Sequence, residues 1–159
     1  MSELNLEQRL QRLEDIEAIR QLKADYAEAC DDDHNPERIA ELFLPDAVWH
    51  RIGEDPCEGH DQIKAYMRAI RESGRLRNSS HLFMNPHITI DGDSAKGHWK
   101  LVMVYTGNVP GGGTQYHRII GYYDERYERH DGRWMFRRLE VTVLEADAYS
   151  VEPSKFDQL

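Results

Sequence analysis

The amino-acid sequence predicts an α+β fold, a curved antiparallel sheet with three helices from the N-terminal half packed on one face. Three observations carry this. Apolar residues recur at steps of three and four through the first 30 residues and again over residues 61–72. From His81 onward the pattern changes to long strand-like runs. Asp-Gly pairs at 91–92 and 131–132 separate those runs, and such pairs join antiparallel neighbours.

The elements follow in order. From Leu4 to Cys30, Leu6, Leu10, Leu13, Ile16, Ile19, Leu22 and Tyr26 make an amphipathic stripe, with a break expected near Glu14–Asp15. A second helix opens at Asn35 as N-cap with Pro36 in its first turn. It carries Ile39, Leu42 and Phe43 and stops before Pro45. A third runs from about Asp61 to Glu72, with Ile63, Tyr66, Met67 and Ile70 on one face and Gly74 as its stop. Strands are expected at Ala47–Ile52, His81–Ile90, Lys96–Tyr105, Gln115–Arg129 and Arg133–Leu144, the last four as an antiparallel meander. Gly111–Gly113 joins two strands and opens no helix, so it reads as a flexible hairpin loop or lid and not as a phosphate cradle.

The 159 residues fit a single domain, 1–159, with an irregular C-terminal tail from about residue 146. No run approaches the ~18 apolar residues of a membrane span, and no signal-peptide layout opens the chain. A cytoplasmic protein without membrane contact is expected. The formal net charge of -9 argues against nucleic acid, whose binders concentrate positive charge. Cys30 and Cys57 show no disulfide or metal spacing, which predicts reduced, structural thiols. No histidine or carboxylate cluster has metal-ligand spacing, so neither metal nor other cofactor is expected.

Chemistry is sought first at Asp31-Asp32-Asp33, where negative side chains at a helix C-terminus oppose the macrodipole. A solvated turn explains Asp32 and Asp33. Asp31, five residues beyond Tyr26, could face the same interior as that tyrosine. By strand alternation His81 shares a face with Phe83 and Asn85. Either it is a satisfied core histidine, or with an Asp partner it is a base, because a carboxylate on one ring nitrogen fixes the tautomer and raises basicity at the other. His50, His60, His87 and His130 read as surface or turn residues; His98 and His117 fall on strands. Arg138 alternates with Trp134 and Phe136 on the last strand. There it could hold a leaving group or an enolate-like oxygen, or pair with a carboxylate at the sheet edge.

Several segments carry a resemblance. Asp15-Ile16-Glu17-Ala18-Ile19-Arg20-Gln21-Leu22 with Tyr26 and Asp31, Leu42-Phe43 through Asp46-Ala47-Val48-Trp49, Asn85-Pro86-His87-Ile88-Thr89-Ile90, and Tyr127-Glu128-Arg129-His130-Asp131-Gly132-Arg133-Trp134 resemble SnoaL-like proteins of the NTF2-like superfamily. The resemblance spans about residues 7–145 and implies a cone, with the helices on the concave face. The fold is shared by dehydratases, isomerases, cyclases, dehydrochlorinases, dioxygenase β subunits and binding proteins.

Within the superfamily the chain is similar to the scytalone dehydratase, bile-acid 7α-dehydratase and hexachlorocyclohexane dehydrochlorinase branch. That likeness implies an Asp–His dyad at Asp31 and His81. It implies a pocket tyrosine at Tyr26, and a pocket tryptophan and late-strand arginine at Trp49 and Arg138. The bile-acid enzyme's further aspartate falls at Met103, and the steroid-isomerase base near Arg51, so neither specific mechanism carries over.

These readings converge on a cofactor-independent lyase of the dehydratase type, acting on a small hydrophobic, cyclic substrate. His81, Asp31 and Tyr26 are its expected catalytic residues, and Trp49, Arg138, Met103 and Phe83 line its substrate pocket. The alternatives are a non-catalytic binding or assembly subunit, like dioxygenase β subunits, and a polyketide cyclase or isomerase using the same pocket. A homodimer or homotrimer is expected.

Overall fold

In the computed structural model residues 4–108 and 114–149 are described. Their order is α1 (Leu6–Asp31), α2 (Pro36–Ala40), β1 (Phe43–Arg51), β2 (Cys57–Glu58), α3 (Gly59–Ser73), β3 (Arg77–Asp91), β4 (Ser94–Asn108), β5 (Thr114–His130) and β6 (Arg133–Tyr149). The six strands form one curved, unclosed sheet in the order β2-β1-β6-β5-β4-β3. The fold is α+β, with three helices against the sheet. β3 to β6 form the expected antiparallel meander, while the seam between β1 and β6 is parallel. The loop at Gly111–Gly113 lies outside the described residues. No helix among them is long and apolar enough to cross a membrane.

α1 begins with a capping box, in which Asn5 and Gln8 satisfy one another's backbone N–H. It runs unbroken through Glu14–Asp15, correcting the expected break. Asp15 is buried and accepts from Gln11 Nε2, Trp134 Nε1 and Arg129, so its charge ties the helix to β5 and β6. The first half of the apolar stripe does not reach the core: Leu6, Leu10 and Leu13 are exposed. The buried face begins near Asp15 and continues through Ile19, Leu22, Lys23, Tyr26, Ala29 and Cys30.

α2 is shorter than expected, because Phe43 and Leu44 belong to β1. Pro45 disfavours helical dihedrals at the residue before it, and Leu42 O accepts from Phe136 N of β6. α3 keeps Ile63 and Met67 fully buried and stops at Gly74, which takes the left-handed conformation (φ 61°) usual at this position. β6 carries on through residues 146–149, paired with β5 where an irregular tail was expected; residues 150–159 lie outside the described set.

On the concave side an apolar core gathers Ile19 and Tyr26 of α1, Phe43 of β1, Ile63 of α3, Trp99 of β4, Tyr127 of β5 and Phe136 of β6, with Phe83 of β3 packed against it. Two register shifts between β5 and β6, at Ile120/Gly121 and Arg126/Tyr127, bend the sheet around it.

Candidate active site

The last turn of α1 ends against the beginning of β3. Asp31 Oδ1 lies 2.7 Å from His81 Nδ1. The same carboxylate accepts from the His81 backbone N–H, at 3.2 Å and 3.1 Å to its two oxygens, and from Ser79 Oγ at 2.9 Å. Burial alone would raise the Asp31 pKa, but the His81 hydrogen bonds outweigh it and the pKa falls below the ordinary carboxylate range. An ionised Asp31 accepts the Nδ1 proton and thereby holds His81 in one tautomer. Nε2, the other ring nitrogen, has no partner among the described residues, and the ring lines a cavity.

That cavity has a volume of about 90 Å³. Tyr26, Trp49 and Met103 share its wall with His81, and Asp31 stands behind the histidine. Met103 is the cross-strand partner of His81 in the β3–β4 register. A wider hollow of about 330 Å³ shares Arg51, Tyr66, Ile70 and Leu76 with the inner cavity and opens between α3 and the sheet. Tyr26 is fully committed: its hydroxyl accepts from Trp49 Nε1 at 2.8 Å and lies within hydrogen-bonding reach of Cys30. Burial pushes the Cys30 thiol up to about 12, so it is no nucleophile near neutrality.

Phe83 lies below the cavity and not on its wall, stacked on Tyr26 with centroids 6.1 Å apart. Arg138 is not at the site. Arg126 pairs with Arg138 and Tyr127 with Phe136, so Arg137 is the extra residue of a β-bulge. The bulge reverses the alternation that put Arg138 on the face of Trp134 and Phe136. Its guanidinium binds Glu140 at 2.9 Å beside an outer hollow that also contains Lys96 and Asp124.

Two features of this region escaped the sequence reading. His34 lines the cavity, 6% exposed, with its ring centroid 5.7 Å from that of His81. It gets there because Asp33 (φ 52°) and His34 (φ 50°) both adopt the left-handed region, which costs non-glycine residues about 1–2 kcal/mol each. His34 N to Cys30 O (2.9 Å) and Asn35 N to Ala29 O (3.0 Å) hold that turn against the helix end. No periodicity in the sequence signals it.

The second feature is a buried ion pair beneath the cavity. Lys23 is hydrogen-bonded to Glu125, which also accepts from the Tyr127 hydroxyl. The Lys23 ammonium lies over the Phe83 and Tyr123 rings, 3.8 Å and 3.6 Å from their centroids. Burial lowers its pKa, and Glu125 partly offsets the shift. A signal was present here. Lys23 falls inside the apolar stripe of α1, and Glu125 alternates with Tyr123 and Tyr127 on β5.

The model of the SnoaL-like domain matches residues 11–140. The chain belongs to the SnoaL-like family. Among solved structures it is similar to a Novosphingobium aromaticivorans protein provisionally designated a scytalone dehydratase: 25% identity, 89% of this chain and 91% of that one, TM-score 0.74. An NTF2-like protein with a cystatin-like fold from the same organism is 26% identical over 91% of this chain and 92% of its own, with TM-score 0.71. The hexachlorocyclohexane dehydrochlorinase LinA-type3 from Novosphingobium barchaimii superposes with TM-score 0.77 at 24% identity, covering 91% of this chain and 99% of that one. At that identity the likeness to LinA-type3 is one of fold.

Proposed function

We propose that this SnoaL-like protein is a cofactor-independent lyase that eliminates water or another small leaving group from a small, hydrophobic, cyclic substrate. The observation that carries this reading is the Asp31–His81 contact of 2.7 Å on the wall of a cavity. His81 Nε2 accepts a carbon-bound proton. The electron pair left on carbon forms the double bond, and the leaving group departs from the neighbouring carbon. Asp31 orients the ring and stabilises the imidazolium, which then returns its proton to the departing oxygen. Trp49 and Met103 shape the pocket, while Tyr26, engaged by Trp49, positions the wall more than it contacts substrate. The provisional dehydratase among the structural relatives supports the same reaction class.

One observation favours the second reading, a binding or assembly subunit. The inner cavity of about 90 Å³ is smaller than the ~300–1,000 Å³ of ordinary ligand pockets. The wider hollow beside it offsets this if the two fill together. On the outer sheet face Leu82, Met84, Val104 and Leu144 are exposed, and we assign to that face the contact of a homodimer or homotrimer, which light scattering would detect.

The test is to incubate wild-type protein and His81→Gln with small cyclic alcohols, with and without a carbonyl two carbons from the hydroxyl, and to follow alkene formation by NMR. Turnover by wild type alone is expected. Turnover unchanged in His81→Gln, or none by either protein, overturns the lyase reading, and the second outcome favours the binding subunit.

A further inference from the structure

Resting on the lyase reading above, we propose that His34 is a hydrogen-bond donor to a carbonyl oxygen of the substrate, so that the substrates of this site are cyclic ketones carrying a β leaving group. Four observations support the assignment. His34 lines the same cavity as His81, at a centroid separation of 5.7 Å and an interplanar angle of 67°. The side chain is buried, yet neither ring nitrogen has a hydrogen-bond partner among the described residues, and neither is a solvent-sealed unpaired atom. Each nitrogen therefore keeps some accessible surface, at a residue that lines the cavity.

Third, neighbouring donors on this wall are engaged elsewhere, Tyr26 with Trp49 and Cys30, and Arg51 and Tyr66 with Glu54. Fourth, two consecutive left-handed residues, Asp33 and His34, are spent on bringing this ring back to the cone. Backbone strain of that kind concentrates at functional sites. Burial, with the neighbouring His81 next in effect, lowers the His34 pKa to about 4, against the opposing pull of Asp31 and Asp33. The ring is neutral near neutral pH and presents one N–H. A neutral imidazole polarises a carbonyl by hydrogen bonding without giving up its proton.

The chemistry then balances on one proton. His81 removes the hydrogen α to the carbonyl, and the C–H electron pair moves into an enolate whose oxygen accepts from His34. The enolate re-forms its carbonyl, the electrons make the α,β double bond, and the β C–O bond breaks. The His81 imidazolium protonates the departing hydroxide, giving water, an enone and the starting enzyme. His34 keeps its proton throughout.

The experiment uses two probes. 3-Hydroxycyclohexanone reports elimination to cyclohexenone, and cyclohexanone in D₂O, which has no leaving group, reports α-hydrogen exchange by NMR. Wild type, His34→Leu and His34→Gln are compared, with thermal unfolding as the check on folding. Loss of one donor to an enolate oxygen costs roughly 10²–10³-fold in kcat, so His34→Leu should lose that much in both assays with KM little changed. Gln, which still donates, should recover most of it. Full activity of a folded His34→Leu in both assays overturns the role of His34 and leaves the lyase reading standing. So does wild-type dehydration of alcohols that carry no carbonyl. Inactivity of wild type towards every alcohol and ketone overturns the lyase reading, and this inference with it.

Discussion

The ammonium of Lys23 is wedged between the carboxylate of Glu125 and the face of Tyr123, 3.6 Å from the ring centroid, in a place that water does not reach. A charge pair so deep in a core gains little net stability over apolar residues, but removing one partner strands the other. Lys23→Met or Glu125→Leu alone should therefore cost about 3–5 kcal/mol. The double variant should recover much of that loss. Urea unfolding of the four proteins measures the coupling, and additive single effects would show that the pair does not act as a unit.

The dyad is tested through rate and stability together. His81→Gln should lose about 10²–10⁴-fold in turnover of any eliminated substrate, the usual contribution of general-base catalysis. Asp31→Asn should also slow the reaction, because a neutral amide stabilises an imidazolium poorly. It should also cost about 1–3 kcal/mol in unfolding free energy, since the carboxylate accepts from Ser79 and from both the ring and backbone of His81. A variant that loses stability while keeping its rate would make Asp31 structural only.

His34 makes stability depend on pH, with a definite sign. Its folded pKa, about 4, lies below the ordinary histidine value of 6.5. The unfolded chain therefore binds more protons in that window, and stability falls as pH drops from about 6.5 to about 4. The largest loss is about 3 kcal/mol. His81, Asp31 and Asp33 face the ring and set the baseline. Urea midpoints at pH 7.5 and 4.5 should differ more in wild type than in His34→Leu. Equal differences would place the acid sensitivity elsewhere.

Gly97 and Gly121 are among the glycines that permit close approach. A Cβ on Gly97 would lie 2.7 Å from the Tyr127 hydroxyl, which accepts from Trp99 and donates to Glu125. Gly97→Ala should destabilise by about 1–3 kcal/mol as the ring is displaced. A Cβ on Gly121 would lie 2.2 Å from the carbonyl oxygen of Thr142, where the obstacle is backbone and cannot rotate away. Gly121→Ala should be the more damaging substitution in thermal unfolding. The reverse order would mean that the β5–β6 seam is softer than its register implies.

The α+β class and the meander were legible because they depend on periodicities that survive folding, whereas the pairing of Asp31 with His81 was implied by the family resemblance, periodicity only turning each residue towards the interior. The helical period carried the stripe from Ile19 to Tyr26, and two-residue alternation put His81 on the inner face of β3. Where the chain departs from those periods, the reading failed. Arg137, the extra residue of a bulge, carried Arg138 to the outer face. The stripe of α1 extended to Leu6 in sequence, but the sheet supports the helix only from about Asp15 onward.

By itself, then, the sequence determined the order and type of the main elements and the antiparallel pairing of the last four strands. These follow from local preference and from the burial of one face, both encoded residue by residue. The tertiary structure alone decided the cavity's size, the arrival of His34 at its wall, the commitment of Tyr26 to Trp49 and the union of Lys23 with Glu125, 102 residues apart. Each depends on bulges, left-handed turns and long-range packing, where a shift of one residue in phase reverses the direction of a side chain.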